Sequence, residues 1–306
     1  MWPLEGVESW VRSTAFSITA SMMGIVRLMF VWVLMFLIFV CAPTSAQQRP
    51  LETEDPETVA SGQILIEAGV DYARDQEYVV SGLTGHRSSF PRLGVSVGLS
   101  SIAELQIDGM SYNRLLITER AVAPLSYMLA FPGERTSSLE DLSIGMKISL
   151  LREGERRPAV GFRFSTKLPN AGNETGLGLD TTDFFSAVLV GKTLQSVRIV
   201  SNMGIAILGD PTRGDKQNSL VTFGFSMTRA VAFGVEVVGE VAGRVNSRRG
   251  FPPPGTESSG FVRVGTRVTM GTFRWDGGVF YGLTPRDARI GATTGVTWVF
   301  KGFELP

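Results

Sequence analysis

Cysteine is almost missing from this chain of 306 residues. The single one, Cys41, lies in an apolar stretch near the N-terminus. If that stretch is removed, no disulfide can form downstream, and an exported protein must be held together another way. Histidine is equally scarce. His86 stands alone, which leaves little material for a zinc site or a base beside a serine nucleophile. Charge is sparse, at 19% of residues with a net charge of zero, and gives no electrostatic case for nucleic acid. No glycine-rich phosphate loop follows a strand and opens a helix. What the chain does have is glycine, at 35 residues, and 19 phenylalanines. Few helices tolerate so much glycine, whereas turn-rich β structure does.

Only one long apolar run occurs. Met23 to Ala46 reads MGIVRLMFVWVLMFLIFVCAPTSA. Arg27 supplies a positive start, and Leu28 to Val40 form an apolar core of signal-peptide length, short for a transmembrane helix. Thr44 and Ala46 place small residues before a cut. The expectation is a signal peptide over 1–46, cleaved near Ala46, with Met22 or Met23 as candidate starts and an uncleaved anchor as the alternative. Phe39 and Val40 do not fit the small residues that precede a lipidated cysteine. Residues 47–61 are acidic and contain two prolines, and they read as an exposed periplasmic arm.

From residue 62 onward one pattern repeats. Ile64, Ile66, Ala68, Val70 and Tyr72 alternate with Gln63, Glu67, Gly69 and Asp71. Val160, Phe162 and Phe164 alternate with Gly161, Arg163 and Ser165, and Val262, Val264 and Val268 with Arg263, Gly265 and Arg267. Period two marks strands. The expected strands are 62–73, 90–100, 102–112, 141–151, 157–168, 182–191, 195–207, 218–228, 230–242, 259–270, 272–283 and 289–300. Most are longer than the usual five or six residues of globular strands and match the roughly 9–11 that cross a bilayer. Connections alternate between tight and long, as in outer-membrane barrels. The fold expected is all-β: a transmembrane antiparallel β-barrel over 62–306 of about twelve strands, or fourteen if 113–140 holds an extra hairpin. A soluble sandwich would show the same alternation with its faces reversed.

The last strand ends TGVTWVF, fitting the polar-Gly-x-x-apolar-x-aromatic pattern of terminal outer-membrane strands. That resemblance points to Gly295, Trp298 and Phe300 as a signal for the barrel-assembly machinery, although KGFELP follows the aromatic. Tyr72, Phe90, Phe273, Tyr281, Trp298 and Phe300 would sit in interfacial girdles.

RPLETEDPETVASGQILIEAGVDY followed by LGVSVGLSSIAELQI resembles the outer-membrane transporter family grouped with phenol meta-pathway degradation proteins. The likeness is one of layout: an acidic lead-in, a first strand with alternating carboxylates, and a tight turn before an E-L-x-I strand. It implies a β-barrel of the cell outer membrane that moves small molecules, hydrophobic or aromatic ones among them. It supplies no catalytic residue.

Inward positions would line the lumen. They are Glu67, Asp71, Glu104 and Asp108 on early strands, Lys147, Arg163, Lys167 and Arg198 in the middle, then Glu236, Glu240, Arg263, Arg267, Arg274 and Asp276. The first two pairs of that last group suggest cross-strand ion pairing. The lining serves either as a polar passage or as a charge network filling the barrel. Inward glycines such as Gly69, Gly161 and Gly265 favour free space, with strand curvature as the other reading. Apolar residues of loop 113–140, among them Leu125, Tyr127 and Phe131, suit a constriction or an access site for apolar solutes. Arg244, Arg248 and Arg249 would meet acidic lipopolysaccharide groups or solvent. His86 falls in an expected loop near Ser88 and Ser89 with no acid evident, so no enzymatic role, metal or cofactor is expected. Expected partners are outer-membrane lipid, the assembly machinery and a solute the sequence does not name. A closed barrel serving as a surface element is the alternative function.

Overall fold

The computed structural model describes residues 49–248 and 250–304. The leader expected at 1–46 lies outside them. Thirteen strands follow in order: β1 (Gln63–Tyr78), β2 (Leu83–Gly98), β3 (Ala103–Arg120), β4 (Arg135–Leu139), β5 (Ser143–Leu151), β6 (Ala159–Lys167), β7 (Asp183–Leu194), β8 (Val197–Gly209), β9 (Gln217–Ala232), β10 (Val235–Val245), β11 (Ser259–Met270), β12 (Phe273–Gly282) and β13 (Ile290–Lys301). Neighbours in sequence pair antiparallel, except that β4 and β5 both pair with β3, and β13 returns to β1 with Gln63 opposite Lys301 and Arg74 opposite Ile290. Across the span the ladder closes on itself, so no open sheet edge faces hydrocarbon, where each unpaired backbone group would cost several kcal/mol.

The ring has twelve places, because β4 and β5 share one. Both pair with β3 in a single register: Leu116 to Arg135 and Tyr112 to Leu139 for β4, Asp108 to Ser143 and Ala103 to Ile148 for β5. Between them the Glu140 N–H still donates to the Ser111 carbonyl at 2.8 Å. The interruption faces Gly109, at φ +92, where any side chain would strike the Asp141 carbonyl. The fourteen-stranded alternative therefore fails. The residues expected in an extra hairpin lengthen β3 and add β4 without a new place in the ring.

Burial is inverted relative to a soluble protein. Trp275, Val279, Ile205 and Trp298 are exposed on the outside, while Glu104, Lys147, Arg263 and Asp276 are buried. Apolar side chains at alternate positions gain from leaving water only if the barrel's exterior meets an apolar medium. The outer faces of β12 and β13 are joined by ring contacts. Phe273 stacks on Trp298 at 5.6 Å, and Trp298 lies 4.3 Å from Phe300.

Three expectations about loops change. The loop expected at 74–89 is a hairpin, because β1 and β2 run 16 residues each and turn only at 79–82. His86 therefore stands in β2. Loop 121–134 does not enter the lumen: Leu125 N–H donates to the Val80 carbonyl at 2.9 Å and Ala130 N–H to the Glu174 carbonyl at 3.1 Å. It lies over one mouth of the barrel, with Leu125 buried and Tyr127 exposed. Arg244 also points inward, bonding the Glu257 and Gly255 carbonyls at 3.1 and 3.2 Å. It pins its loop and does not face the surroundings.

Candidate functional site

The lumen is occupied by the chain's own N-terminal segment. Residues 49–61, expected as an exposed arm, run inside the barrel without regular secondary structure. Their contacts reach opposite walls. Arg49 lies 3.5 Å from Asp276 on β12 and donates to Thr293 and Thr294 on β13 at 2.9 and 3.0 Å. Glu240 on β10 accepts from the Glu52 N–H at 3.0 Å and from the Thr53 N–H and hydroxyl at 2.9 Å. Glu54 meets Arg163 on β6 at 2.5 Å and Lys147 on β5 at 3.8 Å. Asp55 takes both ends of the Arg198 fork on β8, at 2.8 and 2.7 Å. Glu104 on β3 accepts from the Val59 N–H. One short segment can touch so many strands of a closed ring only from within.

The physical reason is charge and room. The arm carries Arg49 followed by four carboxylates, Glu52, Glu54, Asp55 and Glu57. The arginine goes to the wall holding Asp71 and Asp276, and the carboxylates go to the arginines and lysine of the middle and later strands. Inward glycines supply the room. Gly69 and Gly295 face each other across β1 and β13, and a side chain on either would run into the Arg49 guanidinium. Gly161 and Gly191 on β6 and β7 leave the space taken by Pro56. Gly69 and Gly161, whose inward positions favoured free space, thus mark the arm's path instead.

The fourteen residues expected in the lumen occupy the inner face as follows. Glu67 accepts from Arg49 N–H at 3.2 Å, and Asp71 pairs with Arg92 and accepts from Thr293 at 2.6 Å. Glu104 and Lys147, both 0% exposed, pair at 3.1 Å. Asp108 lies 3.8 Å from Arg163. Lys167 bridges Asp141 and Asp183 at 2.9 Å each. Arg198 also meets Glu57 and Glu153. Glu240 and Arg263 stand in register and pair at 3.1 Å. Glu236 is opposite Arg267 but reaches Arg274 at 4.0 Å, while Arg267 donates to the Arg49 carbonyl at 2.8 Å. Sequence reasoning missed Arg92 and Gln106. Arg92, Gly94 and Ser96 alternate with Leu93, Val95 and Val97, so the signal was there for Arg92.

Two cavities flank the arm. One of about 480 Å³ has Arg92, Asp108, Arg163, Lys167 and Asp141 in its wall together with Arg49 and Glu54. The other, of about 360 Å³, lies toward β7 to β11 and includes Phe185, Asn202, Phe223 and Arg244. No residue of loop 121–134 lines either one.

Outside the lumen, His86 lies 3.7 Å from Asp75, an acid that the sequence had not revealed.

No protein family and no characterised protein matches the sequence. Among solved structures the chain is similar to an outer membrane channel from Pseudomonas putida F1, with a TM-score of 0.59 at 13% identity over 80% of this chain and 98% of that one. It also matches the NanC porin, with a TM-score of 0.46 at 11% identity over 79% of this chain and 100% of the porin. At such identity the first likeness establishes the fold, an outer-membrane-type β-barrel, and the specific phenol-degradation family is not confirmed by it.

Proposed function

We propose that this protein is an outer-membrane channel for passive uptake of small polar solutes, and that residues 49–61 set its bore and charge preference. The observation that supports it most is the arm itself: it is tied to opposing walls by ion pairs yet leaves cavities of about 480 and 360 Å³ beside it. The tight turns and both ends of the barrel domain would face the periplasm, as in related architectures. The ionic lining favours polar solutes over the hydrophobic ones the family resemblance implied, because an apolar molecule would leave those charges without water or partner. With four carboxylates against one arginine, the arm biases the passage toward cations.

The test is planar-bilayer conductance of the full chain and of a form lacking 49–57, with reversal potentials in a KCl gradient. The shortened form should conduct several-fold more and lose cation preference. Absence of current from both, in folded heat-modifiable protein, would remove the channel reading. It would leave the second one, a closed barrel working through its surface. That reading draws on the interlocked loops at one mouth, where Ser81 donates to the Gly176 carbonyl at 2.7 Å and Asn218 to Thr256 at 3.0 Å.

The outward Phe273–Trp298–Phe300 row is, on this reading, where the assembly machinery grips the last strand. Phe300→Ala should slow appearance of the heat-modifiable form in cells while leaving refolding in micelles nearly unchanged.

A further inference from the structure

The barrel's outer face carries cations in one quadrant at the long-loop end. On β5 to β12, outward positions toward that end hold residues such as Phe184, Ile205, Val221, Val245, Val262 and Tyr281, with no lysine or arginine among the described residues. On β1 to β4 the pattern differs. Arg74 follows Val70 and Tyr72 on the outer row of β1, and Arg114 follows Met110 and Tyr112 on that of β3. Register places Arg114 opposite Ser88, and Leu116 between His86 on one side and Arg135 on the other. His86, Ser88, Arg114, Leu116 and Arg135 line a cleft of about 300 Å³ on this face.

These cations are not spent on the protein. Arg114 and Arg135 have no side-chain hydrogen bond or ion pair among the described residues. Arg74 and His86 share the single carboxylate Asp75, at 3.5 and 3.7 Å. Glu119 and Glu134 lie further toward the loops. Just below come exposed apolar side chains: Tyr72, Phe90, Met110 and Tyr112. A guanidinium on the lipid side of a barrel is costly at mid-depth and tolerated only where it reaches the headgroup layer. Two such groups converging on one concave spot match the tetrahedral, multiply accepting oxygens of a phosphate.

We propose that the cleft between β2, β3 and β4 binds the phosphate of an anionic glycolipid of the outer leaflet. Arg114 and Arg135 grip the phosphate, and the acyl chains descend over Tyr112, Met110 and Phe90. The proposal takes only the membrane and its orientation from the reading above. Solute passage is not needed for it.

The experiment uses the full chain in phosphatidylcholine nanodiscs, titrated with bisphosphorylated lipid A, dephosphorylated lipid A and inorganic phosphate, and read by native mass spectrometry. One bisphosphorylated lipid should bind per barrel. Arg114→Ala with Arg135→Ala should weaken it about tenfold or more, as loss of charged hydrogen bonds does. Arg114→Lys with Arg135→Lys should fall between, and Arg213→Ala with Arg248→Ala, on loops elsewhere, should bind as the unaltered chain does. Equal binding by the double alanine variant or by the dephosphorylated lipid overturns the proposal. Displacement of the lipid by inorganic phosphate at similar concentration overturns the lipid assignment and leaves a free-anion site. Conductance of the double alanine variant should be unchanged, so a failure here is separate from a failure of the channel.

Discussion

Arg49 shows how little space separates an occupied lumen from an open one. Its guanidinium rests where Gly69 and Gly295 present no side chain. Gly69→Ala should therefore expel the arginine without breaking a strand pair, because the three atoms nearest the added methyl all belong to that flexible side chain. The expected readout is higher conductance with heat-modifiability retained. Lys147 behaves differently. It is fully buried against Glu104 and near Glu54. Lys147→Met strands a buried carboxylate and should cost about 3–5 kcal/mol in urea unfolding from micelles. Adding Glu104→Gln should recover much of that, since the two sites are in contact. The lumen charges were legible from alternation alone. The Glu240–Arg263 pair was legible too, but the partners supplied by the arm were not, because an acidic segment with prolines has the composition of a solvated tail. The hint was Arg163 and Arg198 on the middle strands, which had no partner in the alternation and matched its carboxylates.

At the scale of elements, the sequence located a strand for each of the twelve places in the ring but misjudged where several end. β1, β2 and β3 continue well past the apolar band, to 16, 16 and 18 residues. Outside the membrane polar residues such as Gln76, Thr84 and Thr118 extend a ladder as readily as apolar ones, so the alternation that marks the spans fades before the strands stop. β4 was hidden for a related reason: Ser137 and Ser138 carry no periodic signal, and only the register with β3 reveals them as strand. Turns can be tested separately. Glu153, between β5 and β6, accepts from the Thr193 N–H at 2.8 Å and its hydroxyl at 3.1 Å and pairs with Lys192 at 3.1 Å. Slight burial pushes its carboxyl up, but hydrogen bonds from Thr193 and Lys192 and the Arg198 charge outweigh that and hold it below the usual range. Its contribution is thus complete above the ordinary carboxylate value of about 4.3 and is lost as pH falls through the lowered one. Amide exchange at Thr193, corrected for intrinsic pH dependence, should rise in that acid window, and in Glu153→Gln it should be raised already at pH 7.

At the scale of the whole molecule, the inversion of faces was readable and the filling of the interior was not. Twelve places in a ring leave more width than side chains alone occupy, so something must take up the remainder. Alternation says which residues face inward but not what lies at the centre, and here the answer comes from residues that precede the first strand. The arm meets β1, β3, β5, β6, β8, β10, β11, β12 and β13. Its removal should lower the unfolding midpoint in micelles as well as raise conductance, because it leaves Arg163, Arg198 and Arg263 short of counter-charges.

The arm is upstream of β1, and the ring shuts between β1 and β13, the last strand to be made. Arg49, lying across the joint with Asp71 on one lip and Thr293 on the other, is then a clasp that can fasten only once both lips have met.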